Sequence, residues 1–475
     1  MSYPSELMYG LRSIDGVSHA SFKVPAQTTN DLTANAQVRF SLPSNSIVDL
    51  RKVRMVFNIT TGGAAGLSRI PPLHSLIQRI QITAGGVPIS QGCANQHLLT
   101  QALQIVHPRD EGDIVDGHPE IYRARSGITG VDIAAVDEGY DLGDATVFEL
   151  SLGAFMDSVE PRMLSTDLLP QVEIELFLNS NAVIPQSNNI AEGDYAVAAN
   201  QAVFTSPPTT PDATFTMKNY SLIVPCYSVM DGMYEAMLDA VIQRQEYLPV
   251  AYKEYYSYSD VFSGTSQFSN GSSCLNRLIA VTRASTANTQ GAPIIVQGYK
   301  SKAVGDAAGT GTPAQLPDAE HHGEKYVSPA LNFEAPMTTL PSVADAAGTT
   351  ANALTAFTAG FPKLVYRVNS VSLPNFNVPL TQCYGVTKRA YDVDKTMSKS
   401  MLEYLNNRFV FAINLGLPNE SVRVKSGLNM RGSSSTIRLE CPDTTNLDTS
   451  HLLQVFMDTT AELRIGAGKQ LAIIN

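Results

Sequence analysis

Residues 140–179 read YDLGDATVFELSLGAFMDSVEPRMLSTDLLPQVEIELFLN, and this stretch decides the fold class. Phe148, Leu150 and Leu152 alternate with Glu149 and Ser151, and Val172, Ile174, Leu176 and Leu178 alternate with Gln171, Glu173 and Glu175. Side chains on a strand point to opposite faces in turn, so each run has one apolar and one wet face and predicts a half-buried strand. Between them Met163, Leu164, Leu168 and Leu169 form an apolar knot bounded by Pro161 and Pro170. That knot predicts a short helix plugging the end of a β-sandwich.

The same alternation extends outward in both directions. Upstream, from about Ala34, Val38, Phe40 and Leu42 alternate with polar residues, and Val53, Met55, Phe57 and Ile59 interleave with Lys52, Arg54 and Asn58. Leu73, Leu76, Ile77 and Ile80 have helical spacing while Ile80 and Ile82 have strand spacing, so a helical turn runs into a strand. Ala84-Gly85-Gly86 supplies the positive-φ freedom of a tight hairpin, and Val87 and Ile89 return as its second strand. Downstream, residues 180–217 read as a polar connector and Tyr220–Val229 as the strand that completes the first sheet. In the segment 231–248, Asp231 can cap a helix whose Met233, Met237, Ala240 and Val241 share one stripe, read as core packing.

The second half repeats the plan. Cys274–Thr282 echoes Ser75–Thr83 if one gap is allowed, as duplication of a barrel predicts. Strands follow at Leu364–Ser372, at Phe409, Phe411, Ile413 and Leu415, and at Ala461, Leu463 and Ile465. Residues 300–360 are rich in Gly, Ala, Thr and Pro and read as an exposed insertion without a core of its own. On that reading, replacing residues 304–355 with a short linker leaves the fold intact, because loop closure changes by only ~0.6 kcal/mol per doubling of length. Residues 107–145, rich in Asp, Glu, Gly and Pro, read as a second surface excursion.

Composition narrows the function. At 475 residues the chain exceeds the roughly 250–300 over which one core grows, so two or more domains are expected. Hydrophobic residues at 44% and charged residues at 16% support sizeable cores under a weakly charged surface. The sequence shows neither an apolar run of membrane-span length nor a signal-peptide pattern at its start, so folding in the cytosol or nucleus is the expectation. Cys93, Cys226, Cys274, Cys383 and Cys441 form no CxxC pair and read as buried thiols. The net charge of -11 and the absence of a basic arm in residues 1–34 argue against direct nucleic-acid binding.

Candidate chemistry is sparse. Asp110, Glu111, Asp113 and Asp116 lack the EF-hand ligand order, and a solvated loop is the better reading. His321-His322 beside Asp318, Glu320 and Glu324 is the best metal candidate, yet sequence neighbours in one loop rarely preorganise a site. Gly62–Gly66 lacks the Lys-Ser/Thr of a phosphate-binding loop, and no GxSxG elbow occurs. No catalytic residue, cofactor or metal site is assigned, and the chain is not expected to be an enzyme. Tyr252, Tyr255, Tyr256 and Tyr258 offer the one aromatic series that a glycan-binding groove would need, although alternation within a strand explains them as well.

The order of these elements resembles double jelly-roll major capsid proteins of icosahedral viruses: a strand pair, the Gly85-Gly86 hairpin, the strand pair of 148–178, a helix ending near Glu246-Tyr247-Leu248, then a second barrel. The chain lacks the N-terminal opening of the large algal and amphibian virus members and is more similar to a compact relative from a small DNA virus, virophage or polinton-like element. The resemblance implies an all-β fold of two consecutive eight-stranded jelly-roll barrels joined by a helix, with long loop insertions. Its domains would be an arm at 1–34, a first barrel at 35–230, a linking helix at 231–248, and a second barrel at 249–475 with the insertion at about 300–360. It further implies homotrimeric, pseudo-hexameric capsomers in a virion shell assembled inside the host cell. Implied partners are neighbouring capsomers, penton and minor capsid or cement proteins, with an internal membrane as an additional candidate. The competing expectation is a glycan- or receptor-binding β-sandwich protein of a virus surface.

Overall fold

A computed structural model describes residues 17–474 apart from 29, 63–66, 69–72, 108–147, 154, 185, 188–194, 199–200, 205–213, 230–232, 289–294, 298–324, 328, 339–359, 394–395, 399–400, 418–425 and 433–434. The first half contributes strands β1 (Val17–Pro25), β2 (Gln37–Ser41), β3 (Arg54–Gly62), β4 (Ile77–Ala84), β5 (Val87–Ser90), β6 (Phe148–Ser151), β7 (Val172–Leu178) and β8 (Thr214–Val229). The second half contributes β9 (Tyr247–Val261), β10 (Thr265–Phe268), β11 (Leu275–Arg283), β12 (Lys363–Val368), β13 (Val371–Pro379), β14 (Val410–Asn414), β15 (Ile437–Asp443) and β16 (Leu452–Gly466).

Pairing within the first set gives two antiparallel sheets, β1-β8-β3-β6 and β2-β7-β4-β5. The second set gives β9-β16-β11-β14 and β10-β15-β12-β13, the same order with eight added to every number. First strand beside last and second beside seventh is the jelly-roll order, here realised twice. The fold is a double jelly roll.

The predicted alternation carries the first core. Val38 and Phe40 of β2, Ile174 and Leu176 of β7 and Ile80 and Ile82 of β4 are buried in one cluster with Met55, Phe57 and Ile59 of β3 and Phe215, Met217, Leu222 and Val224 of β8. The register sets Leu176 opposite Val38 on one side and Ile80 on the other. On the wet face Arg39 and Glu175 form an ion pair at 2.6 Å. At the hairpin, Ala84 pairs with Val87, and Gly85 and Gly86 both take positive φ, as a two-residue turn between right-twisted strands requires.

In the second barrel β11 and β14 are buried on nearly every residue rather than on alternate ones. Phe409, Phe411 and Ile413 were expected to alternate, but Val410 and Ala412 between them are equally buried. Helix α4 (Leu380–Tyr391), followed by α5 (Met401–Asn407), explains the difference, because Thr387 of α4 donates to the Val410 carbonyl at 2.7 Å and accepts from the Ala412 amide at 2.9 Å. A sheet covered on both faces reads as a continuous apolar run. All five cysteines are buried and free.

Several expectations are corrected. The arm expected at 1–34 contains β1, which pairs with β8 from Val17↔Val229 to Pro25↔Ser221 and so opens the first barrel. The helical plug is not the 163–169 knot but α2 (Phe155–Ser158), which buries Phe155 and Met156. Met163–Ser165 instead forms a short strand against Ile47–Asp49, whose backbone groups give it partners that a lone turn could not. The linking helix α3 spans Met233–Gln245; Glu246 closes it at φ 68°, and Tyr247 and Leu248 already belong to β9. Ala240 and Val241 are exposed and Ile242 is the buried residue, so the expected stripe is not the packed face there. The Asp231 cap and the Met233 and Met237 side chains lie outside the described residues.

The Cys274–Thr282 echo also misaligns the two halves. Its strand β11 pairs with the last strand β16, as β3 pairs with β8, whereas Ser75–Thr83 runs into β4, the counterpart of β12. Duplication is present in the strand order; the nine-residue match joins non-equivalent strands, because any two buried strands share a run of branched apolar residues.

The insertion expected at about 300–360 is not wholly external. Within it Leu331, Phe333, Ala335 and Met337 are buried in the second core. The Phe333 amide reaches the Asn407 carbonyl at 3.4 Å, and the Phe409 amide reaches the Phe333 carbonyl at 3.0 Å. Farther out, the strands Tyr195–Ala198 and Gln201–Phe204 of the first half and Ile295–Gln297 and Lys325–Val327 of the second form one four-stranded sheet, joined across the halves at Val203↔Ile295.

Candidate functional site: the barrel junction and the assembly faces

The two cores interlock. Helix α1 (Gln96–Val106) follows β5 of the first barrel, yet its Leu98, Leu99, Ala102, Ile105 and Val106 belong to the second core. In return Val250 and Tyr252 of β9 and Ala461, Leu463 and Ile465 of β16 belong to the first core. The exchange fixes the two lobes relative to each other, since neither apolar set can be withdrawn without exposing the other.

Polar contacts line the seam between the lobes. Residues 158–160 act as a short strand against β9: the Glu160 amide donates to the Ala251 carbonyl at 2.8 Å, the Ala251 amide donates back at 2.9 Å, and the Lys253 amide donates to Ser158 Oγ at 3.0 Å. The buried Tyr252 hydroxyl donates to the Ile89 carbonyl at 2.8 Å, and its ring meets Phe155 edge-on at 4.8 Å. Asp458 of β16 is buried and held by Lys253 Nζ at 3.1 Å and Arg277 Nη1 at 3.3 Å, and the Arg277 guanidinium covers the Tyr391 ring at 4.9 Å. A buried carboxylate with two cations is a compensated charge.

Glu254 lies beside it in a different setting. Its Oε1 accepts from the Gln91 amide at 3.2 Å across the seam, and Thr459 Oγ1 donates to its backbone carbonyl at 2.8 Å. Burial pushes the carboxyl up to about 7, against the pull of Ser90 and of the Gln91 and Gly92 amides. It borders a cavity of about 20 Å³, room for one water-sized molecule, with Ile82, Ser90, Cys93, Gln96, Met156 and Tyr255 in the wall. Gly92 holds φ at 70°, and a Cβ there would stand 1.8 Å from the Ile80 carbonyl oxygen, so the loop crossing this seam admits only glycine. Sequence reading missed Glu254 and Gly92, because neither stands in a motif; Glu254 is visible only as an acid set among the tyrosines of the run 252–258.

The aromatic series does not form an open groove. Tyr252 and Tyr255 are buried, and Tyr256 and Tyr258 pack partly buried against the second core. Among the described residues no group of three His, Cys, Asp or Glu side chains is placed to hold a metal ion. The acidic run Asp110–Asp116 and the His321-His322 group lie outside the described residues. Large apolar side chains do stand exposed on two sheet edges: Phe22 of β1 at 51%, and Val371 and Phe376 of β13 at 61% and 50%.

No protein-family model matches the sequence, and no curated protein sequence matches it. Solved structures are similar over nearly its whole length. The PBCV-1 virus capsid chain aligns at a TM-score of 0.52 and 12% identity, covering 98% of this chain and 99% of that one. The Faustovirus major capsid protein aligns at 0.50 and 8% identity, covering 96% and 92%. A chain of the Sputnik virophage aligns at 0.50 and 11% identity, covering 100% and 92%. Similarity to the virophage chain is therefore no greater than to the PBCV-1 chain. At such identity the likeness establishes the shared double jelly-roll fold.

Proposed function

We propose that the chain is a major capsid protein, assembling as a homotrimer whose six barrels give a pseudo-hexameric capsomer in the shell of an icosahedral virion. The observation that carries the reading is the repetition of one eight-strand order in two lobes locked together by exchanged core residues. A rigid two-lobed subunit becomes six-lobed under threefold symmetry and so fits a hexagonal lattice, whereas one lobe would need six copies. The similar folds named as capsid proteins support the same reading.

Exposed apolar side chains on the edges at β1 and β13, where no further strand pairs among the described residues, suit contacts with further copies, because such edges are liabilities in a monomer. Many modest interfaces suffice for a closed shell, since valency multiplies them. On this reading the protein is structural rather than enzymatic, resides in the virion after assembly inside the host cell, and contacts neighbouring capsomers, penton proteins and minor capsid or cement proteins. An internal membrane is a further candidate contact of the shell's inner side. With a net charge of -11, its association with nucleic acid is left to other components.

Light scattering of the purified chain is the test. A stable mass three times that of the chain is expected; a persistent monomer at micromolar concentration would overturn the reading in favour of a glycan- or receptor-binding role.

A further inference from the structure

Glu254 is a buried carboxylate on the second barrel that is anchored to the first. It has no cationic partner among the described residues, since the neighbouring Lys253 is engaged by Asp458 together with Arg277. Its contacts across the seam are to residues 90–92, where the chain leaves β5 and Gly92 has no room for a side chain. A charge in such a place is costly unless paired, and neutral donors offset only part of the cost. The adjoining cavity has room for one water-sized molecule beside the carboxyl.

We propose that Glu254 is a proton-operated latch across the barrel junction: with its carboxyl uncharged, β9 stays locked against residues 90–92 of the first barrel, and ionisation loosens that seam. The proposal is independent of the capsid reading and concerns the chain itself.

The groups packed around Glu254 leave it as the titrating member. On its own strand Tyr252 and Tyr256 are raised by burial, the latter to about 12, and Lys253 is ion-paired. From the loop after β5, burial pushes the Cys93 thiol up to about 12. From α1, burial and then the charges of Arg283 and His74 push His97 down to about 3, while Gln96 is uncharged. From β16 comes Asp458 with its two cations, and from β4 Arg79, whose guanidinium donates to the Gln91 carbonyl at 2.9 Å. The thiol, phenols and imidazole therefore keep one charge state over the range in which Glu254 changes.

The sign follows from a closed-state value raised from 4.5 to about 7. The latch contributes fully below about pH 4.5, weakens as pH rises toward about 7, and adds nothing more to stability above it.

Hydrogen exchange at the Gln91 and Gly92 amides of the intact chain, corrected for intrinsic rates, reads the seam directly. Between pH 5 and pH 8 protection in the wild type should fall by roughly tenfold or more. Glu254→Gln, which holds the uncharged form, should keep its protection across that range. An equal fall in both proteins, or a rise with pH, overturns the proposal. A second variant stands apart from the folding of the first: Ser90→Ala removes a donor that favours the carboxylate, so the transition should move to higher pH. A transition that stays in place also overturns it.

Discussion

Phe333→Ala is expected to destabilise the chain by about 3–5 kcal/mol, the range for removing a fully buried phenyl ring. Phe333 has no exposed surface and stands in the second core with Leu331, Ala335 and Met337. Its backbone is tied to the 407–409 segment that leads into β14, so the surrounding chain cannot collapse freely into the space left behind. The same geometry reverses the expectation for replacing residues 304–355 with a linker. That replacement removes four core side chains, and the second barrel is expected to unfold although loop closure alone would change little. Denaturant titration of Phe333→Ala decides the matter. A change below about 0.5 kcal/mol, the range of ordinary surface substitutions, would mean that the segment is no part of the core.

Leu176→Asp is expected to abolish folding. Leu176 is fully buried in the middle of β7, with Val38 and Ile80 on either side in a cluster of apolar side chains. An unpaired carboxylate there costs several kcal/mol, a large part of the stability of any domain. The adjacent Glu175 provides the control, because its partner Arg39 is half exposed. Glu175→Ala should cost at most about 1 kcal/mol, as surface ion pairs do. Sizing and thermal unfolding of the two variants together test the register, since a one-residue slip would exchange their faces. Tolerance of Leu176→Asp with loss of the Glu175→Ala protein would show that the sheet had been assigned inside out.

How far the fold was legible depended on whether burial was one-sided. The runs at 37–41, 77–84 and 172–178 alternate because one face meets the core and the other meets water, and they lie where the pattern put them; in the run from Arg54 the second face is covered too, since Val56 and Asn58 are buried. β1 was legible only as the short run Ala20, Phe22 and Val24 alternating with Ser21 and Lys23, and its side chains are largely exposed, so no core-facing stripe marks it. The 329–337 segment escaped for the opposite reason: its apolar residues at alternate positions are diluted by the small and polar residues on either side. Helix α1 is clearly amphipathic, but that its apolar face serves the second barrel depends on tertiary placement that no local pattern carries. The short helix expected at 163–169 was displaced by strand pairing, a case of tertiary partners overriding local spacing. At the junction, Glu254 becomes conspicuous only once residues 90–92 and β9 are seen side by side.

Electron microscopy of the purified chain in negative stain tests the central claim most directly. Two jelly rolls locked in one rigid subunit predict threefold-symmetric particles with six lobes of similar size. Class averages showing isolated two-lobed particles, or an assembly with no threefold axis, would contradict it.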